Sequence, residues 1–427
     1  MKRYTEFDTN ELKNEFSRLK AEYDAVRAKG LKLDMSRGKP SPAQLDVGTP
    51  LLSELIFPED CRAEDGTDVR NYGILAGLPE CRRLFGELTS MPAENVVIYG
   101  ESSLTLMYDT FARCMLFGAD GSGKEPWAGQ KIKFICPAPG YDRHFAICED
   151  MGVEMVKVDM TPEGPDVDAV LRLIKDPSVK GMWCVPKYSN PDGYTCSDET
   201  VRRLASMKPA ARDFRIFWDN AYIVHDLYGE GDRLLNIFDL TRGTENEDMV
   251  FEFVSTAKIT FPGAGVAAFV SSDANVAAML SHLKAQSISH DKINQLRHVR
   301  YLKNAAHIKE IMKKHAQILR PKFDLLKSKF REALAETSAG WTEPNGGYFI
   351  SMYVRGGTAK RVYGLCRDAG LTLTNVGASY PYSRDEKDSN LRIAPSYPSV
   401  EQLSAAADVL TLCIRLAETE ALLSERA

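Results

Sequence analysis

The chain has 427 residues, 44% of them apolar, with a formal net charge of -5. That length suits two or three domains with a large core, and a pI near 5.9 without a basic run argues against nucleic acid as the main partner. No apolar stretch is long enough for a membrane span, no signal-like segment precedes the first helix pattern, and nine scattered cysteines without a C-x-x-C pair suggest neither a disulfide framework nor a metal site, so a reduced, cytoplasmic protein is expected.

Thr9 is placed to cap a first helix, in which Leu12, Phe16, Leu19, Tyr23 and Val26 recur at helical spacing until Gly30. Residues 33–50, rich in Gly, Pro and Ser, read as an irregular crossing loop. From residue 95 onward, short apolar runs alternate with helical stretches: 96–99, 132–136, 153–158, 181–185, 214–218, 250–254 and 266–270. Seven such runs, most bracketed by Gly or Pro, predict an α/β fold with a mainly parallel seven-stranded sheet and helices on both faces. A long helical pattern covers 293–334. Strand-like runs at 347–354 and 390–394 and helix-like runs at 360–369 and 400–423 then predict a smaller α/β unit. The expected division is a large domain over 56–295 and a small one assembled from both ends, with 1–55 as its N-terminal part and 296–427 as connecting helix and C-terminal part.

In open α/β sheets, ligands bind beyond the carboxyl ends of the strands. Lys258 stands there, in Ser255-Thr256-Ala257-Lys258 after the run 249–254. Burial at such a place lowers an ammonium's pKa and frees a nucleophilic amine. Asp219 and Tyr222 follow the run 214–218, and Asn190 lies in Tyr188-Ser189-Asn190-Pro191-Asp192-Gly193. An amine, an acid, a phenol and an amide at strand ends are the equipment for holding pyridoxal 5′-phosphate. Lys258 would bind its aldehyde, Asp219 would keep its pyridine nitrogen protonated, and Tyr222 and Asn190 would share its phenolic oxygen. Ser102 and Ser103, opening a helix after Tyr99, offer hydroxyls and free N–H groups to the phosphate, and Ser255 adds a hydroxyl. Tyr141 is a candidate to stack on the ring. Arg392, alternating out of an apolar strand, is a candidate for a substrate carboxylate, because its planar fork grips both oxygens.

In this order and spacing, these residues resemble the class I/II aminotransferases of fold type I, along almost the whole chain. The match includes Tyr72 with Gly77, Gly346-Gly347-Tyr348-Phe349 and Arg392. The resemblance implies a pyridoxal-phosphate enzyme in which His144 supports Asp219, Gly38 belongs to a substrate loop, and Tyr72 reaches the neighbouring subunit's phosphate in a homodimer. Met35-Ser36-Arg37-Gly38-Lys39-Pro40, the Tyr188 to Gly193 stretch and Asn294-Gln295-Leu296-Arg297-His298 resemble a bacterial aspartate aminotransferase subgroup related to MocR-type regulators. Aspartate and 2-oxoglutarate are then the expected substrates, with Arg37 or Arg297 as the cation for the far carboxylate. An aromatic or kynurenine-type aminotransferase, a β-lyase and a non-catalytic cofactor-binding sensor use the same residues and stay open. One departure stands out: where most of the wider family carries a phosphate-binding arginine, this chain has Val266.

Overall fold

A computed structural model describes residues 2–427. All seven expected strands form one sheet. From edge to edge it runs Val96–Ile98, Ala267–Val270, Val250–Ser255, Arg215–Asp219, Val179–Cys184, Lys133–Ala138 and Glu154–Thr161. A two-residue strand, Gly164–Pro165, adds an eighth, pairing antiparallel at the far edge through a turn too short to show a period in sequence. The five strands from Val250–Ser255 to Glu154–Thr161 are mutually parallel, while Ala267–Val270 is antiparallel to both its neighbours.

Both faces are covered, which is why the strands read as continuous apolar runs. Side chains still alternate between the two faces. Phe217 points into one layer with Phe111, Phe134, Trp183 and Phe253, beneath helices Ser103–Phe117, Asp142–Asp150 and Asp273–Gln286. Ile216 and Trp218 point into the other with Phe85, Val170, Val201 and Leu296, beneath helices Pro79–Thr89, Val167–Leu173, Asp198–Ala205 and Lys292–Leu302. A separate core joins both ends of the chain. Leu19 and Tyr23 of helix Thr9–Arg27 pack with Leu326 and Phe330 of helix Ala305–Ala333, with Val362 of helix Ala359–Asp368 and with Leu410 and Ile414 of helix Val400–Glu425. The three-stranded sheet of Gly340–Trp341, Ile350–Tyr353 and Asn390–Ile393 backs this core.

Three expectations are corrected. Asp8, not Thr9, caps the first helix, accepting from the N–H groups of Asn10 and Glu11 at 2.7 and 2.9 Å. Residues 33–50 are not a plain loop: Leu33–Asp34 pairs in parallel with Leu371–Thr372, and Pro42–Gly48 is a helix. The helical pattern over 293–334 is two helices. Lys303 takes a positive φ of 60°, and the Asn304 side chain caps the second helix through the His307 N–H at 2.8 Å. Among the described residues, no helix is long and apolar enough to cross a membrane.

Candidate functional site

The parallel strands end on one rim of the large sheet, and a cavity of about 230 Å³ lies there. Gly38, Ser102, Ser103, Tyr141, Asn190, Asp219, Tyr222, Ser255 and Lys258 all line it. Lys258 follows strand Val250–Ser255 and lies partly open to the cavity, its Nζ 4.7 Å from the centre of the Tyr222 ring. Burial lowers its pKa, an effect the nearby Asp219 charge partly opposes. Burial raises the Tyr222 phenol well above its ordinary value, so it stays a protonated donor.

Asp219 closes strand Arg215–Asp219 and is buried. Its Oδ2 lies 3.0 Å from His144 Nε2, as the resemblance implied. His144 is itself clamped, stacked on Trp183 at 4.4 Å and 6° with Tyr141 edge-on at 5.1 Å. The other oxygen, Asp219 Oδ1, is buried without a hydrogen-bond partner, as is Asn190 Oδ1. Buried acceptors left unpaired in this way are costly, and their cost is relieved by a ligand that supplies donors.

At the far end, Ser102 is the N-cap of helix Ser103–Phe117, its Oγ accepting from the Thr105 N–H at 3.3 Å. Gly100, two residues before it, has φ +69° and would place a Cβ 2.7 Å from Leu106 Cδ1, so any other residue is strained in this turn. Helix N-termini with free N–H groups and hydroxyls attract anions. Together these features fit a flat phosphorylated pyridine aldehyde, with an acceptor for a ring N–H, an amine of lowered pKa and an anion cradle. Val266 cannot contribute to that cradle: it is buried in the core and tied to Thr256 by hydrogen bonds of 2.9 Å in both directions.

Four sequence-predicted residues stand off this wall. Tyr72 is 77% exposed on a single chain. Arg37 and Lys39 are both exposed, but only Lys39 lines the cavity, with its Nζ 3.8 Å from the Tyr397 ring centre. Arg392 is held by Asp142 at 2.7 Å and lies over Phe349. Arg297 donates to Asn294 Oδ1 at 2.8 Å.

Sequence reading missed the support behind Lys258. Its backbone carbonyl lies 3.4 Å from both His225 Nε2 and the Tyr348 hydroxyl, and Gln44 donates to that hydroxyl at 2.9 Å. Burial and the Lys258 charge push the His225 pKa well below its ordinary value. Its three-residue spacing from Tyr222 repeats that of Tyr141 and His144, the one sequence signal available. Gly346 explains itself only in three dimensions: a Cβ there would sit 2.3 Å from the Tyr188 ring.

Comparison with known proteins agrees with this geometry. A family model described as aspartate amino-transferase matches residues 7–426. An aspartate aminotransferase from Corynebacterium glutamicum is 45% identical over 404 residues, covering 94% of this chain and 93% of that protein. A crystal structure of an aspartate transaminase from the same organism superposes with a TM-score of 0.95 at 43% identity, over 98% of this chain and 99% of that one. A helix-turn-helix-type transcriptional regulator from Bacillus subtilis is 26% identical over 276 residues, 62% of this chain and 58% of the regulator, in line with the MocR kinship.

Proposed function

The chain belongs to the aspartate aminotransferase family, and from that premise we propose that it uses pyridoxal 5′-phosphate to move an amino group from L-aspartate to 2-oxoglutarate, as a cytoplasmic homodimer. The observation that carries the cofactor assignment is Asp219 Oδ1, buried and unpartnered in the cavity that also holds Lys258.

Bound there, pyridoxal phosphate supplies an aldehyde that exchanges amines and a ring that withdraws electrons from the substrate α-carbon. The protein's residues do the rest. Lys258 Nζ would hold the aldehyde. The same amine, once free, is placed to take the substrate's α-proton and to return a proton, as general base and then acid. Asp219 Oδ1 would accept the pyridine N–H, with His144 fixing Oδ2. Tyr222 and Asn190 would hold the phenolic oxygen, and Tyr141 would lie against the ring. Ser102, Ser103, Ser255 and the helix amides would hold the phosphate, with Tyr72 of a second copy. Arg392, Gly38 and Asn190 receive the substrate's α-carboxylate end. The far carboxylate meets the 37–39 loop, where Lys39 and Arg37 are both exposed and Lys39 lines the cavity.

Borohydride reduction of cofactor-loaded protein followed by peptide mapping tests the attachment, with the label expected on Lys258. A label on another residue sinks the mechanism. A panel of amino donors against 2-oxoglutarate tests the substrate, with aspartate expected to give the highest kcat/KM. An aromatic donor in first place would replace that assignment.

A further inference from the structure

Arg392 lies on strand Asn390–Ile393, opposite Ser351. Its side chain is 9% exposed, and its guanidinium is already engaged. Nη1 donates to the Asp142 carboxylate at 2.7 Å, Nε points to Thr374 Oγ1 at 3.4 Å, and the group lies 5.2 Å from the Phe349 ring centre. Phe349 in turn packs closely on Gly38, where a Cβ would fall 2.3 Å from its Cζ. The substrate loop, the aromatic ring and the guanidinium therefore form one stack, and Arg392 is not part of the cavity wall that carries Lys258. Asp142 is the first residue of helix Asp142–Asp150, directly after Tyr141, which is part of that wall.

A guanidinium grips a carboxylate best through two parallel N–H bonds from its planar fork. Here a carboxylate from the same chain already occupies part of that fork. We infer that Asp142 is a built-in competitor for the substrate α-carboxylate at Arg392, so that every substrate and product shares the guanidinium with it or displaces it. This rests on the assignment of Arg392 to the α-carboxylate made above. Because amino acids and 2-oxo acids both carry that carboxylate, the competition weakens binding of all of them alike and favours release. It is blind to the substrate side chain, unlike the cation of the 37–39 loop.

Calorimetric titration of the cofactor-loaded enzyme with maleate, a dicarboxylate without an amino group, tests this. Asp142→Asn keeps the shape and removes the charge. Its maleate Kd is expected to fall by about twofold to fivefold, the range that a partly exposed charge pair supports. KM for aspartate and for alanine should fall by a common factor. Asp142→Glu should return the maleate Kd toward that of the parent. An unchanged or raised Kd in Asp142→Asn overturns the inference and makes Asp142 a simple orienting group. Arg392→Gln separates the two levels. If it leaves maleate binding intact, the carboxylate assignment itself is wrong. If it abolishes binding while Asp142→Asn changes nothing, only the competition is wrong.

Discussion

Lys258 shows how one side chain acquires a role from its setting. Strand Val250–Ser255 delivers it to the rim, burial depresses its pKa, and its carbonyl is held from behind by His225 and Tyr348. Lys258→Ala should lower kcat by about 10²- to 10⁴-fold, the usual worth of a positioned acid–base group, measured as product formation from aspartate. The thermal midpoint should barely move, since the truncated chain opens onto an existing cavity. Gly346→Ala should behave in the opposite way. Its Cβ would meet the Tyr188 ring at 2.3 Å and the His225 carbonyl oxygen, a backbone atom, at 2.4 Å. Overpacking of this kind costs about 1–3 kcal/mol, read as a lowered midpoint in denaturant. A Gly346→Ala variant as stable as the parent would refute the contact.

The strand that presents Lys258 carries an unusual passenger. Glu252 is buried in strand Val250–Ser255, accepting from Asn220 Nδ2 at 2.7 Å, and burial raises its pKa to about 7. A carboxylate whose folded pKa lies above its unfolded value binds more protons when folded, so its ionisation costs stability as pH rises from about 4.5 to 7. Glu252→Gln keeps the acceptor and removes the charge. It should gain about 3 kcal/mol relative to the parent at pH 8, with the difference vanishing near pH 4.5. Denaturant midpoints of both proteins at the two pH values check this; a difference independent of pH would contradict it.

Across the whole molecule, the histidines set the opposite slope. Burial lowers His298 and His315 from about 6.5 to about 4, and His225 falls well below its ordinary value. Between those limits the unfolded chain binds more protons than the folded one, so stability is full above about pH 6.5 and is lost as pH falls toward 4. His298 and His315 each account for about 3 kcal/mol across that window. The raised carboxylates, Glu252 and Asp192 at about 6, offset part of it. The net expectation is a thermal midpoint that drops steeply below pH 6, and His298→Asn should flatten the slope. Because the histidines lie in different parts of the molecule, His298 against Thr260 and His315 against Gln44, the loss should be global and cooperative.

The sequence by itself determined the strands, most of the helices and the chemical inventory of the site. Period and side-chain type are local properties, and strand ends converge on one rim in any parallel sheet. That is why Lys258, Asp219, Tyr222, Asn190, Ser102 and Tyr141 were legible before any coordinates. Even the helix break at Lys303 had a local mark, the capping side chain of Asn304. Only the tertiary structure decided which charges meet. Asp142 and Arg392 are 250 positions apart, Lys39 but not Arg37 lines the cavity, and Val266 sits inside the core. A long-range ion pair depends on how distant parts of the chain pack to within a few ångströms, and no periodicity along one chain encodes that distance.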